Sequence, residues 1–285
     1  YFLTQAAASA TVLFSSMTNS WSTGSWDITQ LTNPYACILL TFALAMKLGL
    51  APVHFWLPEV LQGTSLKTAL LITTWQKLAP MSLLYLSHSS LHPTILMAVG
   101  ALSTLIGGWG GLNQTQLRKV MAFSSIAHLG WMVTILTLSP NLMLLNLVLY
   151  LMMTLSTFIL LIYTSSKTAK DLTTTWPASP TTAATMLILL MSLGGLPPLT
   201  GFMPKWLILQ ELISHNLTTI SVILALSALL SLFFYLRLTY LATLTLPPNQ
   251  TQSAYKWRFQ PKPKTLTVTT LLSTMLLPTT PMLLT

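Results

Sequence analysis

Long runs of apolar residues alternate with short polar or proline-rich segments along the whole chain. An α-helix needs about 20 largely apolar residues to cross the hydrocarbon core of a bilayer. The pattern predicts nine such spans, at residues 1–18, 34–57, 65–86, 93–112, 117–138, 141–163, 181–213, 217–243 and 265–284. The segments between them, such as 18–32, 164–180 and 247–264, predict surface connections. We therefore expect an all-α, polytopic membrane helix bundle with about nine spans.

The positive charges fall on one side of this predicted topology. Ten lie in or beside connections that follow even-numbered spans: Lys67, Arg118, Lys119, Lys167, Lys170, Arg237, Lys256, Arg258, Lys262 and Lys264. Connections that follow odd-numbered spans contain no Lys or Arg. An excess of Lys and Arg marks the loops on the inner side of a membrane protein, which is the positive-inside rule. The distribution gives the chain an orientation and supports the number of spans, because one missed span would mix the two sides.

The composition excludes several other classes of protein. Only 6% of the 285 residues are charged and 53% are hydrophobic, whereas a soluble domain carries about 25% charged residues. This rules out a soluble enzyme, and the apolar excess rules out a disordered chain. The single cysteine, Cys37, excludes a disulfide framework and a thiolate-held iron–sulfur cluster. The net charge of +9 is too scattered to form a basic patch for nucleic acid.

Four titratable residues stand near the middle of their predicted spans. At 1.5 Å per residue, Lys47, Lys77, Lys205 and His128 lie about 15–20 Å along their spans. That places them near the middle of a core about 30 Å thick. A mid-membrane lysine costs roughly 2.5–3.5 kcal/mol on insertion scales and is a candidate functional group. A lone membrane histidine is a weaker signal, and a purely structural role for His128 stays open.

Two of these lysines accompany predicted helix breaks that repeat along the chain. The pattern Gly49-Leu50-x-Pro52-x5-Pro58 recurs as Gly195-Leu196-x-Pro198-x5-Pro204, at an offset of 146 residues. Proline removes a backbone donor and clashes with the preceding turn, so each helix is expected to break. The two copies lie on spans two and seven, which run in opposite directions. Interrupted helices at matching positions of inverted halves indicate the ion site of a transporter.

The motifs around these residues resemble those of the NADH–ubiquinone oxidoreductase chain 2 family, the antiporter-like membrane subunits of respiratory complex I. The resemblance rests on four runs: Lys47-Leu-Gly-Leu-Ala-Pro52-Val-His54-Phe-Trp56-Leu-Pro58, Trp75-Gln-Lys77-Leu-Ala-Pro80, Ser124-Ser-Ile-Ala-His128-Leu-Gly-Trp131 and Gly194-Gly-Leu-Pro-Pro198-Leu-Thr-Gly201-Phe-Met-Pro-Lys205-Trp206. It extends from Tyr1 to the C-terminus.

The resemblance implies a fold and a set of site residues. It implies an eleven-helix subunit with two inverted five-helix halves, of which nine helices are present here, forming a single proton-translocating domain over residues 1–285. Lys47 matches the family's lysine on the first broken helix, Lys77 that of the following helix and Lys205 that of the second broken helix. His128 matches a histidine of the central helix. The carboxylate partner of the first lysine lies on an upstream helix, so we expect the chain to be a fragment.

The resemblance also implies a setting. It places the chain in the mitochondrial inner membrane as a multi-pass protein, with the positive side facing the matrix. The implied partners are the lipid bilayer and the other core and accessory subunits of complex I, without nucleic acid. We expect no cofactor on this chain. NADH, flavin, iron–sulfur clusters and ubiquinone belong to the wider complex.

These observations lead to one main hypothesis and two alternatives. The main hypothesis is proton translocation coupled to electron transfer from NADH to ubiquinone in other subunits. Lys47 is then the gated site, Lys77 and His128 are relays, and Lys205 is the final group toward the exit. The alternatives are a stand-alone cation/proton antiporter of the same fold and a structural membrane scaffold whose lysines are only ion-paired.

Overall fold

The structure is a computed structural model that describes residues 1–245 and, beyond them, Thr270, Ser273 and Thr274. Its thirteen named helices are α1 (Phe2–Thr23), α2 (Pro34–Leu48), α3 (Trp56–Gly63), α4 (Leu66–Thr73), α5 (Trp75–Leu86), α6 (Pro93–Gly111), α7 (Leu117–Ile135), α8 (Pro140–Thr164), α9 (Ala169–Thr173), α10 (Thr175–Ala178), α11 (Pro180–Gly194), α12 (Phe202–Ser214) and α13 (Thr218–Leu244). The described residues contain no β-strand, only an isolated bridge between Gln116 and Thr168. The predicted all-α class is therefore confirmed.

Five of the predicted spans are single helices, α1, α6, α7, α8 and α13. Within the described part of the chain, α6, α8 and α13 are each long and apolar enough to cross a membrane alone. The helices α2 and α11 are apolar but have only 15 residues each, or about 22 Å at 1.5 Å per residue. A second half-helix must complete each of these two crossings. The predicted ninth span, the connection 247–264 and its four positive charges lie outside the described residues, apart from Thr270, Ser273 and Thr274.

Both predicted breaks are present and use the same backbone geometry. Gly49 and Gly195 have φ values of +77° and +84°, a left-handed conformation that glycine adopts without a Cβ penalty. The Gly49 N–H donates to the carbonyls of Ala45 and Met46, and the Leu50 N–H also donates to Ala45. The second break repeats these bonds 146 residues later, with Gly195 and Leu196 donating to Met191 and Ser192. The sequence repeat is therefore a repeat of one helix-ending motif.

A third interruption divides the predicted span 65–86. The sequence predicted one span here, in which Pro80 is the single proline, but α4 ends at Thr73 and α5 begins at Trp75. Thr73 and Thr74 each donate their hydroxyl back to the Leu70 carbonyl. This back-bonding competes with the helical ladder and bends helices. The break therefore lies six residues before the proline and frees carbonyls of the α4 end.

Contacts join the connections that follow even-numbered spans. The Arg118 guanidinium, after span four, donates to the Thr64 carbonyl, after span two. The Leu117 N–H donates to the Lys167 carbonyl, after span six, at 3.1 Å. The Arg237 guanidinium, near the end of span eight, donates to the Leu112 carbonyl at 2.6 Å. Connections after even-numbered spans therefore share one end of the bundle.

The connection predicted at 164–180 contains structure that its polar composition did not indicate. It folds into the short helices α9 and α10. A capping box starts α9, because Thr168 and Asp171 each bond the other's backbone N–H. Such reciprocal capping satisfies donors that a short helix leaves open.

The buried apolar residues form two clusters stacked along the bundle. Along α7, buried residues from 117 to 126 belong to one cluster and those from 129 onward to the other. The first cluster also takes Leu161 from α8 and Leu238 from α13, near the positive end. His128 falls between the two clusters. The fold thus places a polar layer at mid-depth between two apolar ones.

Candidate functional site

Lys77 is buried and held by a tyrosine of another helix. It lies in the first turn of α5 and is only 5% exposed. Its ammonium Nζ donates to the Tyr150 hydroxyl at 3.0 Å and lies 5.0 Å from the centre of that ring. The Tyr150 hydroxyl in turn lies 3.4 Å from the Thr73 carbonyl. The break between α4 and α5 therefore provides the acceptor that orients this phenol.

Lys205 lies at the second predicted break. It is in the first turn of α12 and is 9% exposed. Its Nζ donates to the Gly194 carbonyl, the end of α11, at 2.9 Å. The C-terminal end of a helix carries a partial negative charge and unpaired carbonyls, which stabilise a cation. The broken helix therefore provides the site for this buried ammonium.

His128 lies between the two buried lysines. It is 5% exposed on α7, and its ring centroid lies 5.4 Å from that of Tyr150. It also lines a small cavity together with Lys205. The structure therefore joins three of the predicted site residues, and His128 is the middle member.

A small polar cavity separates His128 from Lys205. It offers about 10 Å³ of space for the centre of a water molecule. Polar groups from α7, α12 and α13 line it: Ser124, His128, Lys205, Ser231 and Tyr235. Groups on opposite sides of this cavity can exchange a proton through one bridging molecule.

Lys47 lies outside this cluster but shares a second cavity with Lys77. It is half-buried in the last turn of α2. The second cavity has a volume of about 300 Å³, and Gln5 and Gln76 line it together with the two lysines. The Gln5 side chain donates to the Lys47 carbonyl at 3.4 Å. Lys47 thus connects to the buried cluster through an open cavity with both polar and apolar lining, and not through a direct contact.

Sequence reasoning missed two functional candidates, Tyr150 and Tyr235. Both are 1% exposed. Tyr150 connects Lys77 to His128, and Tyr235 faces the cavity between His128 and Lys205. A tyrosine in an apolar helix costs little to insert, so these two resembled Tyr240, which is 61% exposed. Only the expectation that a buried phenol needs a hydrogen-bond partner could have signalled them.

The described residues offer no obvious metal site. They contain no group of three or more His, Cys, Asp or Glu side chains able to hold an ion. The groups at mid-depth are amines, an imidazole and hydroxyls. Amines and imidazoles take up and release protons, and hydroxyls pass them on.

Comparisons with known proteins agree with this arrangement. The family model of the NADH:quinone oxidoreductase/Mrp antiporter membrane region matches residues 1–231. The model of the NADH dehydrogenase subunit 2 C-terminus matches residues 232–284. The chain is similar to NADH-ubiquinone oxidoreductase chain 2 of Xenopus laevis, with 58% identity over all of this chain and 83% of that protein. It is 55% identical to the chain 2 of Struthio camelus, covering all of this chain and 82% of that one.

A solved structure shares the fold. A chain of respiratory complex I from Thermus thermophilus, solved with bound aureothin, superposes with a TM-score of 0.80 at 26% identity. The match covers 98% of this chain and 67% of that chain. The two family models and the relatives above 50% identity show the family, and the repeated helix breaks agree with it. The chain belongs to the NADH-ubiquinone oxidoreductase chain 2 family of antiporter-like membrane proteins.

Proposed function

We propose that this chain translocates protons across a membrane as a core subunit of NADH:ubiquinone oxidoreductase, coupled to electron transfer in other subunits. The observation that carries the proposal is the line of buried proton-exchanging groups from Lys77 through His128 to Lys205. The names of its relatives support the assignment to that complex. A family model specific to subunit 2 favours it over a stand-alone antiporter.

Each site residue has a role in this proposal. Lys47 is the gated site, because it is half-buried and opens on the 300 Å³ cavity. Lys77 and His128 are relays, and Lys205 is the last group before the exit. A buried ammonium costs roughly 2.5–3.5 kcal/mol at mid-membrane, so small changes around each amine can favour either its charged or its neutral form. Such alternation moves a proton without moving the side chain far.

The setting follows from the same assignment. We place the chain in the mitochondrial inner membrane, with the end that carries Arg118, Lys167 and Arg237 toward the matrix. The bilayer and the other core and accessory subunits of complex I are its partners. We expect NADH, flavin, the iron–sulfur clusters and ubiquinone to bind other subunits.

We also propose that residues 1–285 act as one proton-translocating domain. Among the described residues, α7, α8 and α13 contribute to both apolar clusters. The two halves of the inverted repeat therefore share one interior. Lys77 belongs to the first half and Lys205 to the second, so the proposed path crosses between them.

Neutral substitution of the lysines tests the function. In the intact complex, Lys77→Met and Lys205→Met each remove a group that exchanges protons, and a positioned acid or base contributes about 10²–10⁴-fold to proton transfer. We expect NADH-driven proton uptake into sealed vesicles to fall at least about tenfold, with Lys47→Met also impaired. The matched control is Lys67→Met, which removes an exposed lysine at the positive end. A Lys205→Met complex that assembles and pumps at the normal proton-to-electron ratio would contradict the proposal.

A further inference from the structure

We propose that the Tyr235 hydroxyl anchors a single water molecule that connects His128 to Lys205, which makes Tyr235 a positioning residue for this proton transfer. The inference rests on the proposed proton-translocating function. It assigns a role to a residue that lies outside the sequence motifs described above.

The hydroxyl of Tyr235 is buried and lacks a hydrogen-bond partner among the described residues. The residue is 1% exposed on α13. Its hydroxyl lies near Ser124, but within the described part of the chain no group makes a hydrogen bond of normal geometry with it. Leaving a buried hydroxyl unpaired is costly, and such groups in proteins are paired with protein atoms or ordered water. The orphaned oxygen therefore indicates a small polar partner.

The cavity beside Tyr235 has the size of one water molecule. Its space for a water centre is about 10 Å³, and a cavity needs roughly 10–15 Å³ by this measure to hold one water. The space between these side chains therefore suits a single water molecule.

The lining groups define what that molecule must donate and accept. Ser124 and Ser231 each donate their hydroxyl to a carbonyl of their own helix, of Met121 and Ala228 respectively. Their oxygens can therefore serve the cavity only as acceptors. Lys205 uses one N–H on Gly194 and has further donors. A water both donates and accepts, so it satisfies these groups and Tyr235 together.

The position of the cavity gives the water a role. His128 and Lys205 line the same small space, so one molecule reaches both. A proton leaving the Lys205 ammonium passes to the water oxygen, and a water proton passes to the imidazole nitrogen; the reverse path returns it, and no bond other than O–H and N–H changes. Tyr235 fixes the orientation of the water but need not exchange its own proton.

The direct test is to look for the water and to remove its anchor. In a map of the intact complex that resolves ordered waters, we expect density within hydrogen-bond distance of the Tyr235 hydroxyl. In Tyr235→Phe we expect that density to disappear, NADH-driven proton uptake to slow about tenfold and its solvent deuterium isotope effect to increase. The isotope effect distinguishes loss of proton transfer from a general structural defect. The matched control is Tyr240→Phe, which removes an exposed hydroxyl from the same helix.

A second variant covers the case in which Tyr235→Phe fails to assemble. Ser231→Val replaces the hydroxyl at the cavity wall with two methyl groups and leaves Tyr235 unaltered. We expect it to displace the water and to slow proton uptake with the same increase in isotope effect. An empty cavity in the wild-type map, or variants that match Tyr240→Phe while Lys205→Met abolishes pumping, would overturn the inference and leave the proposed function intact. Normal pumping by Lys205→Met would overturn the proposed function as well.

Discussion

The two most deeply buried lysines of the described residues are stabilised by different kinds of oxygen. Lys77 donates to the phenol of Tyr150, and Lys205 donates to the Gly194 carbonyl at a helix end. A phenol can both accept and donate a hydrogen bond, whereas a carbonyl can only accept one. The contact between Lys77 and Tyr150 suits a relay in the middle of a proton path. The contact between Lys205 and the Gly194 carbonyl suits a group that keeps its proton until the next acceptor takes it.

The role of Tyr150 can be tested by removing its hydroxyl. Tyr150→Phe keeps the ring beside Lys77 but leaves the ammonium without its acceptor at 3.0 Å. An unsatisfied buried donor costs about 1–3 kcal/mol. We expect the charged form of Lys77 to become less stable. Proton uptake by the complex should slow without being abolished. Uptake rate and thermal stability of the purified complex are the measurements.

Tyr35 provides the control for this variant. It is 75% exposed on α2, so Tyr35→Phe removes a hydroxyl far from the buried layer. If Tyr150→Phe and Tyr35→Phe had equal uptake rates, the phenol would have no part in the path.

At the level of single residues, the sequence identified the ionisable side chains of the site but not the tyrosines beside them. Lys77, His128 and Lys205 were predicted because an ionisable group stands out in an apolar run. Tyr150 and Tyr235 were not, because a tyrosine is amphipathic and fits an apolar helix facing either lipid or the interior. Which way it faces depends on helix packing.

The helices show a repeat that extends to individual backbone bonds. Gly49 and Gly195 end α2 and α11 with the same left-handed conformation and equivalent donors and acceptors. The following half-helix is tied back at the first break, where the Trp56 indole donates to the Met46 carbonyl at 3.1 Å. At the second break a lysine has this function. The same backbone motif therefore accepts a neutral indole N–H in the first half and a lysine ammonium in the second.

The second break can be tested with Gly195→Ala. A Cβ at this position would lie 3.0 Å from the Lys205 Nζ, and a non-glycine residue at positive φ costs about 1–2 kcal/mol. We expect the ammonium to be displaced from the Gly194 carbonyl, with a lower melting temperature and slower proton uptake.

Gly24→Ala separates the two effects of that substitution. Gly24 has φ of +73° but a Cβ there meets nothing within 4 Å. It should lower stability by the backbone cost alone and leave proton uptake unchanged. Normal uptake in Gly195→Ala would mean that the Lys205 contact with α11 is dispensable.

The two breaks with a Gly-Leu-x-Pro pattern were predictable, whereas the one at Thr74 was not. Glycine and proline limit the backbone wherever they occur. Thr74 bonds back to the Leu70 carbonyl at the break, but Thr134 and Thr154 bond back in the same way inside unbroken helices. The outcome depends on the packing of Lys77 and Tyr150 around that point.

In the whole molecule, the topology places all described connections after even-numbered spans at one end. Arg118, Arg237 and the Lys167 backbone connect these segments to one another. The arginines that predict the orientation of the chain in the membrane thus also close this end of the bundle.

Labelling of introduced cysteines tests this topology. Lys170→Cys and Ser89→Cys place exposed thiols at opposite predicted ends, and the native Cys37 is buried, so background labelling is low. With a membrane-impermeant maleimide, we expect Lys170→Cys to react only from the matrix side and Ser89→Cys only from the other. Reaction of both thiols from the same side would show that the number of spans between them is wrong.

The sequence by itself determined the membrane class and the two helix breaks, and it predicted the sidedness and the depth of four titratable groups. Each follows from local properties: an apolar run has a length, a proline lacks a donor, and a charge in an apolar run has a position along its helix. Only the tertiary structure decided that Tyr150 joins Lys77 to His128 and that Tyr235 closes a water-sized cavity before Lys205. These contacts join α5, α7, α8, α12 and α13, whose rotation about their own axes is set by packing against one another, and no local pattern along the chain contains that information.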